Sequence, residues 1–168
     1  NNTALGYGAL GSASSSTTSG NIAIGMGALT GGSGDLTGCI AIGQTALDDT
    51  AGNDQTGTIA IGHQSLTALT SGAGNTAVGY TAMADLSEGA KNTAIGYNAG
   101  AAMTTSDGNT IVGYNAYAVG NNADGTGHNV MIGSGVCDTG TDANIRENVF
   151  IGYEVAASVV DHAALKNT

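Results

Sequence analysis

The stretch KNTAIGYNAG at 91–100 is one of nine near-copies of a single unit, and self-similarity at a short fixed period leaves a chain few folds to choose from. Aligned on the glycine that ends each TAIG-like tetrapeptide, the copies are centred on Gly6, Gly25, Gly43, Gly62, Gly79, Gly96, Gly113, Gly133 and Gly152. Their spacings are 19, 18, 19, 17, 17, 17, 20 and 19 residues. With that glycine as position 0, position −4 is Asn2, Asn21, Asn75, Asn92, Asn109, Asn129 and Asn148, and Cys39 and Thr58 fill the other two copies. Position −1 is always Leu, Ile or Val, and position +3 is Ala in most copies, with Ser65, Val136 and Val155 in the others. Asn167 stands where a tenth copy would begin. With an opening at Asn1 rather than Met, the 168 residues read as a slice of a longer array.

A unit of 17–20 residues is too short to fold alone and has to stack on its neighbours. Each unit holds a β-favouring tetrapeptide, a glycine, a second short apolar stretch (YNAG, QTAL, YTAM) and a polar arc. That predicts an all-β chain, a single parallel β-solenoid domain over 1–168, with two or three short strands per coil joined by turns. A helical solenoid would not place a glycine in every unit. The absence of proline fits, since each strand N–H must donate to the coil next door. Nine coils at about 4.8 Å would make a rod roughly 40 Å long. Charged residues are only 10% of the chain, but the 41% that are hydrophobic recur too regularly for disorder. The acidic residues other than Glu154 fall in the arcs, as on a solvated rim.

The strand itself predicts a partner. Side chains at −3 and −1 point one way and those at −2 and 0 the other. Both faces are apolar: Ile24, Ile42, Ile61, Val78 and Ile95 on one, Ala23, Ala41, Ala60, Ala77 and Ala94 on the other. One face can be covered by the coil's own interior, and the other calls for a second chain; the alternative is a flattened coil that covers both faces with its own arcs. Copies one to five pair Ala at −2 with Leu or Met at +4, whereas Ile111, Met131 and Phe150 at −2 accompany Tyr117, Cys137 and Ala156 at +4. A traded volume of this kind suggests a shared core space, although Tyr117 departs from it. Asn at −4 predicts a structural ladder of side-chain amides along the axis, the alternative being an exposed row that binds sugar. Tyr80, Tyr97 and Tyr114 at +1 predict a ring stack, structural or glycan-contacting, with Tyr7 and Tyr153 in the same column.

Motifs for chemistry are sparse. A net charge of −10 with three Lys and Arg excludes nucleic acid as a partner and argues against an anionic membrane surface. No apolar run approaches the ~20 residues of a membrane span, and no signal-peptide pattern opens the chain. Five coils separate Cys39 from Cys137, too far for a disulfide, so both read as free thiols. His63, His128 and His162 have no second ligand at metal spacing. GYGALG and GMGALTGG imitate a dinucleotide loop but open no helix. The arcs DDTAGNDQTG, NNADGTG and DTGTD cluster oxygen ligands as calcium loops do, with solvated turns as the default; no other cofactor is implied. Asp48–Asp49 and Asp138–Asp142 are the close carboxylate pairs, and neither is framed by the aromatic and basic residues of a sugar-cleaving cleft. The expectation is a chain that is not an enzyme.

The units NTAIGYNAG, NIAIGMGAL and NTAVGYTAM resemble the head repeats of trimeric autotransporter adhesins. They are still more similar to the NTAIGY-type arrays of phage tail fibres and bacterial surface fibres, which often precede a chaperone domain of the endosialidase type. The resemblance covers all nine copies. It implies a left-handed β-roll, three chains around one axis, and an extracellular, cell-surface or virion fibre that binds a glycan or protein on a host or cell surface. The adhesin unit is nearer 14 residues, so the arcs of the present chain must protrude further. A filament of solenoids stacked end to end is the alternative. An ice-binding solenoid fits less well, because position −3 mixes Thr3, Thr76, Thr93 and Thr110 with Ile and Val, and a polysaccharide depolymerase fits least.

Overall fold

A computed structural model of the chain describes residues 1–11, 17–31, 34–51, 53–118, 127–138 and 145–155. In chain order its strands are β1 (Thr3–Leu5), β2 (Ile22–Ile24), β3 (Leu36–Thr37), β4 (Ile40–Ile42), β5 (Gln55–Thr56), β6 (Ile59–Ile61), β7 (Thr76–Val78), β8 (Thr93–Ile95), β9 (Thr110–Val112), β10 (Val130–Ile132) and β11 (Val149–Ile151). Positions −3 to −1 of every copy thus form a strand. These strands make one nine-stranded sheet in the order β1-β2-β4-β6-β7-β8-β9-β10-β11, parallel throughout and in register column by column, as in Ala60↔Ala77↔Ala94. Each coil bonds to both neighbours. Thr76 N–H donates to the Asn92 carbonyl and Gly79 N–H to the Ile61 carbonyl, both at 2.8 Å. The chain is an all-β parallel β-solenoid, with no helix among the described residues. Asn167 and Ala156 lie outside those residues.

The second strand is not where the sequence suggested. The apolar stretch after the glycine is a turn at +1 to +4, and the other ladder precedes the tetrapeptide. There β3 pairs with β5, and isolated bridges join Ser19 to Thr37, Asp107 to Gly127 and Gly127 to Arg146, all at position −6 or beside it. The turn closes through the +3 N–H and the carbonyl at 0, 3.4 Å in Ala82 and Gly79. Position +2 has φ near +50° in Thr81, Asn98 and Asn115, as the third residue of a type II turn must. Position +4 is left-handed as well, even where it is leucine: φ is 52° in Leu29 and Leu47 and 51° in Leu66. That conformation costs a bulky residue about 1–2 kcal/mol. Each of these leucines is fully buried, and burial contributes about 1.5–3 kcal/mol, so burial wins.

The core is filled by positions −2, +3 and +4, including Ala60, Ala77 and Ala94, Ala82 and Ala99, and Leu47, Leu66 and Met83, all fully buried. Leu69, Leu86 and Met103 add to it from the start of the arcs. Small alanines therefore line the inside of the strand, and Ile and Val at −1 face out. The traded volume acts between adjacent coils. A β-carbon on Gly100, at +4 of copy six, would lie 3.1 Å from Ile111 Cδ1, at −2 of copy seven. Gly100 and Ile111 compete for one space, so at this step the trade is between neighbouring coils.

Candidate functional site

The outward columns of the main sheet form an apolar stripe the length of the described solenoid. At −1, Leu5 is 67% exposed, Ile95 43% and Ile151 62%, with Ile24, Ile42, Ile61, Val78 and Val112 partly exposed. At −3, Ile22 and Val149 are exposed and Ile40, Ile59 and Val130 partly so. Among the described residues, the arcs leave this face partly to largely exposed.

Beside the stripe runs the +1 column. His63, Tyr80, Tyr97 and Tyr114 stack as a ladder with ring centroids 5.1, 5.1 and 5.4 Å apart and planes within 16°. His63 was not legible as a member, because its type differs, yet its column position was the signal. Tyr80, Tyr97 and Tyr114 are about half exposed. Their faces are spent on one another, so their edges meet solvent. After Tyr114 the column drops to Ser134 and returns to Tyr153, and a cleft of about 380 Å³ opens there. Its lining includes Tyr114, Asn115, Ser134, Asp138, Tyr153 and Glu154. Burial, and then the Glu154 charge, push the Asp138 carboxyl up from its ordinary range. A hydrogen bond to Glu154 holds the Tyr153 phenol protonated above its usual range. Sequence reasoning paired Asp138 with Asp142, which lies outside the described residues; in space its carboxylate neighbour is Glu154.

The asparagines lie inside. Asn21, Asn75, Asn92, Asn109, Asn129 and Asn148 are at most 2% exposed, which rules them out as a sugar-binding row. Only Asn2 is exposed. Asn92 Nδ2 donates to Asn75 Oδ1 at 3.2 Å, and Asn92 N–H donates to the same oxygen at 2.9 Å. The amide has a third bond, legible in no single copy: Asn92 Nδ2 donates to the Ser106 carbonyl, and Asn75 Nδ2 to the Gly89 carbonyl, both at 2.7 Å. Those carbonyls belong to position −7 of the following coil. Cys39 keeps part of this pattern, its Sγ lying 3.4 Å from the Gln55 carbonyl, whereas the Thr58 hydroxyl is buried without a partner.

The remaining candidates do not assemble. Cys39 and Cys137 are free and buried, and burial pushes both thiols up, Cys137 to about 12. His128 packs over Gly108, far from the His63 ladder in the sequence of coils, and His162 lies outside the described residues. Asp48 accepts a hydrogen bond from the Thr30 hydroxyl while Asp49 is exposed. In the first acidic arc Asp54 accepts from the Asp35 N–H at 2.9 Å, and most of NNADGTG and DTGTD is outside the described residues. Among the described residues no three His, Cys, Asp or Glu side chains group as metal ligands, and no helix is long and apolar enough to cross a membrane.

Fold and surface together define a repeat protein of the parallel β-solenoid class, with a stacked core, an uncovered apolar stripe and variable acidic arcs. No protein-family model, curated protein or solved structure matches the chain.

Proposed function

We propose that the chain is a non-enzymatic, structural and adhesive segment of a homotrimeric extracellular or virion fibre. The observation that carries this reading is the apolar stripe at −1, flanked at −3 by Ile or Val in five copies and Thr in four. An apolar surface this continuous is rare on a soluble monomer and marks an interaction face. Because the stripe repeats once per coil, its natural partner is another copy with the same spacing. The resemblance to trimeric adhesin heads favours three chains and a left-handed roll. The acidic residues are spread over arcs that differ from copy to copy, which eases like-charge repulsion among three chains of charge −10. A stiff rod would then present the arcs in three copies, and weak contacts with a surface glycan or protein would multiply by avidity.

The test is a double substitution, Ile61→Lys with Ile95→Lys. Both side chains point out of the coil, so the solenoid should keep its β-sheet circular dichroism while the mass in solution falls from three chains to one. An unchanged mass would show that this face is not the interface.

A further inference from the structure

The cleft where the +1 ladder breaks has the dimensions of one missing rung. β9, β10 and β11 pair in register, so Tyr114 and Tyr153 stand two coil steps apart, about 9.6 Å at ordinary strand spacing. Ser134 fills the step between them with a hydroxymethyl group. In the unbroken ladder Tyr97 fills the corresponding step, with ring centroids 5.1 Å from Tyr80 and 5.4 Å from Tyr114.

The polar lining says what kind of group. Asn115 Oδ1 and Asp138 Oδ1 are both buried and have no hydrogen-bond partner. Each is an orphan acceptor that a bound donor would satisfy. The Glu154 carboxylate is at the same cleft, and among the described residues no Lys, Arg or His lines it. The slot is therefore lined by two tyrosines, carries two carboxylates and holds two acceptors without donors.

We propose that this slot binds a guanidinium group, presented as an arginine side chain by a partner protein. Guanidinium is planar and weakly hydrated, stacks on aromatic faces, and directs its N–H groups outward in its own plane. Seated between Tyr114 and Tyr153, it would offer donors to Asn115, Asp138 and Glu154. A lysine ammonium supplies charge without the plane, and a neutral sugar supplies hydroxyls without charge. The slot is built from one chain's residues, so it does not rest on the oligomeric state.

The experiment titrates the full 168-residue chain with N-acetyl-arginine amide, following backbone amide NMR shifts of Asn115, Ser134 and Gly135. Saturable shifts are expected, with N-acetyl-lysine amide, glucosamine and glucose binding at least about tenfold more weakly. Ser134→Tyr should fill the missing rung, abolish the shifts and leave the thermal midpoint unchanged or higher. Glu154→Gln, at an exposed position with little folding risk, should weaken binding several-fold. No saturable shift with the arginine probe, tighter binding of either sugar, or undiminished binding by Glu154→Gln would each overturn the proposal. A change in solution mass would not bear on it, which keeps this result separate from the trimer test.

Discussion

At position 0 the glycine is fixed by what lies in the next coil. Gly79 has φ +144°, and a β-carbon there would sit 2.1 Å from the Gly96 carbonyl oxygen. Gly79→Ala should therefore cost at least about 3 kcal/mol in urea unfolding. Gly74, at −5, has φ +72° with nothing within 4 Å of its missing β-carbon, and Lys91, His128 and Glu147 hold the same conformation in other coils. Gly74→Asn should stay within about 0.5 kcal/mol of the parent. Equal losses at the two sites would contradict close backbone approach as the reason for the invariant glycine. Thr58 is the weak rung of the asparagine column, with its hydroxyl buried and unpaired. Thr58→Asn should supply the missing acceptor to the following coil and raise stability by about 1 kcal/mol; a loss would mean that the column tolerates Thr for packing reasons.

The strand and its register were legible because one tetrapeptide recurs nine times with little change. The turn was not. Leu66 and Met83 lie in apolar runs that look β-favouring, and nothing local announces that they adopt the left-handed conformation. Packing against the next coil imposes it, and Gly100 in the same column was the one residue that hinted at it. The ladder at −6 was hidden differently, since its members range from Ser19 through Thr37 and Asp107 to Arg146, and only main-chain atoms take part. An element that bonds only to its neighbours can be removed whole. Deleting residues 80–96 joins Gly79 to Tyr97 in phase and should leave a folded, shorter solenoid with its circular dichroism per residue unchanged. Deleting Ala77 alone removes the strand's buried side chain, forces Thr76 or Val78 toward the core and should cost far more. If both deletions behave alike, nearest-neighbour stacking is not what holds the rod.

Across the whole molecule, volume is distributed in reverse of a simple globule. In copies two to six alanines fill the inside of the strand, whereas Ile111, Met131 and Phe150 do so in copies seven to nine, and Ile, Leu and Val at −1 are left on the outside. The sequence placed both apolar faces correctly but could not say which faced in, because that depends on where the leucines at +4 and the arcs pack. Once the alanines are buried, the outer column at −1 is left partly or fully exposed among the described residues, and the proposed trimer would cover it. The most direct test is the mass of the unmodified chain in solution, by light scattering at several concentrations. The trimeric account predicts a constant value of about three times 16.2 kDa. A single-chain mass would contradict it, and a mass that climbs with concentration would replace lateral trimers with end-to-end filaments.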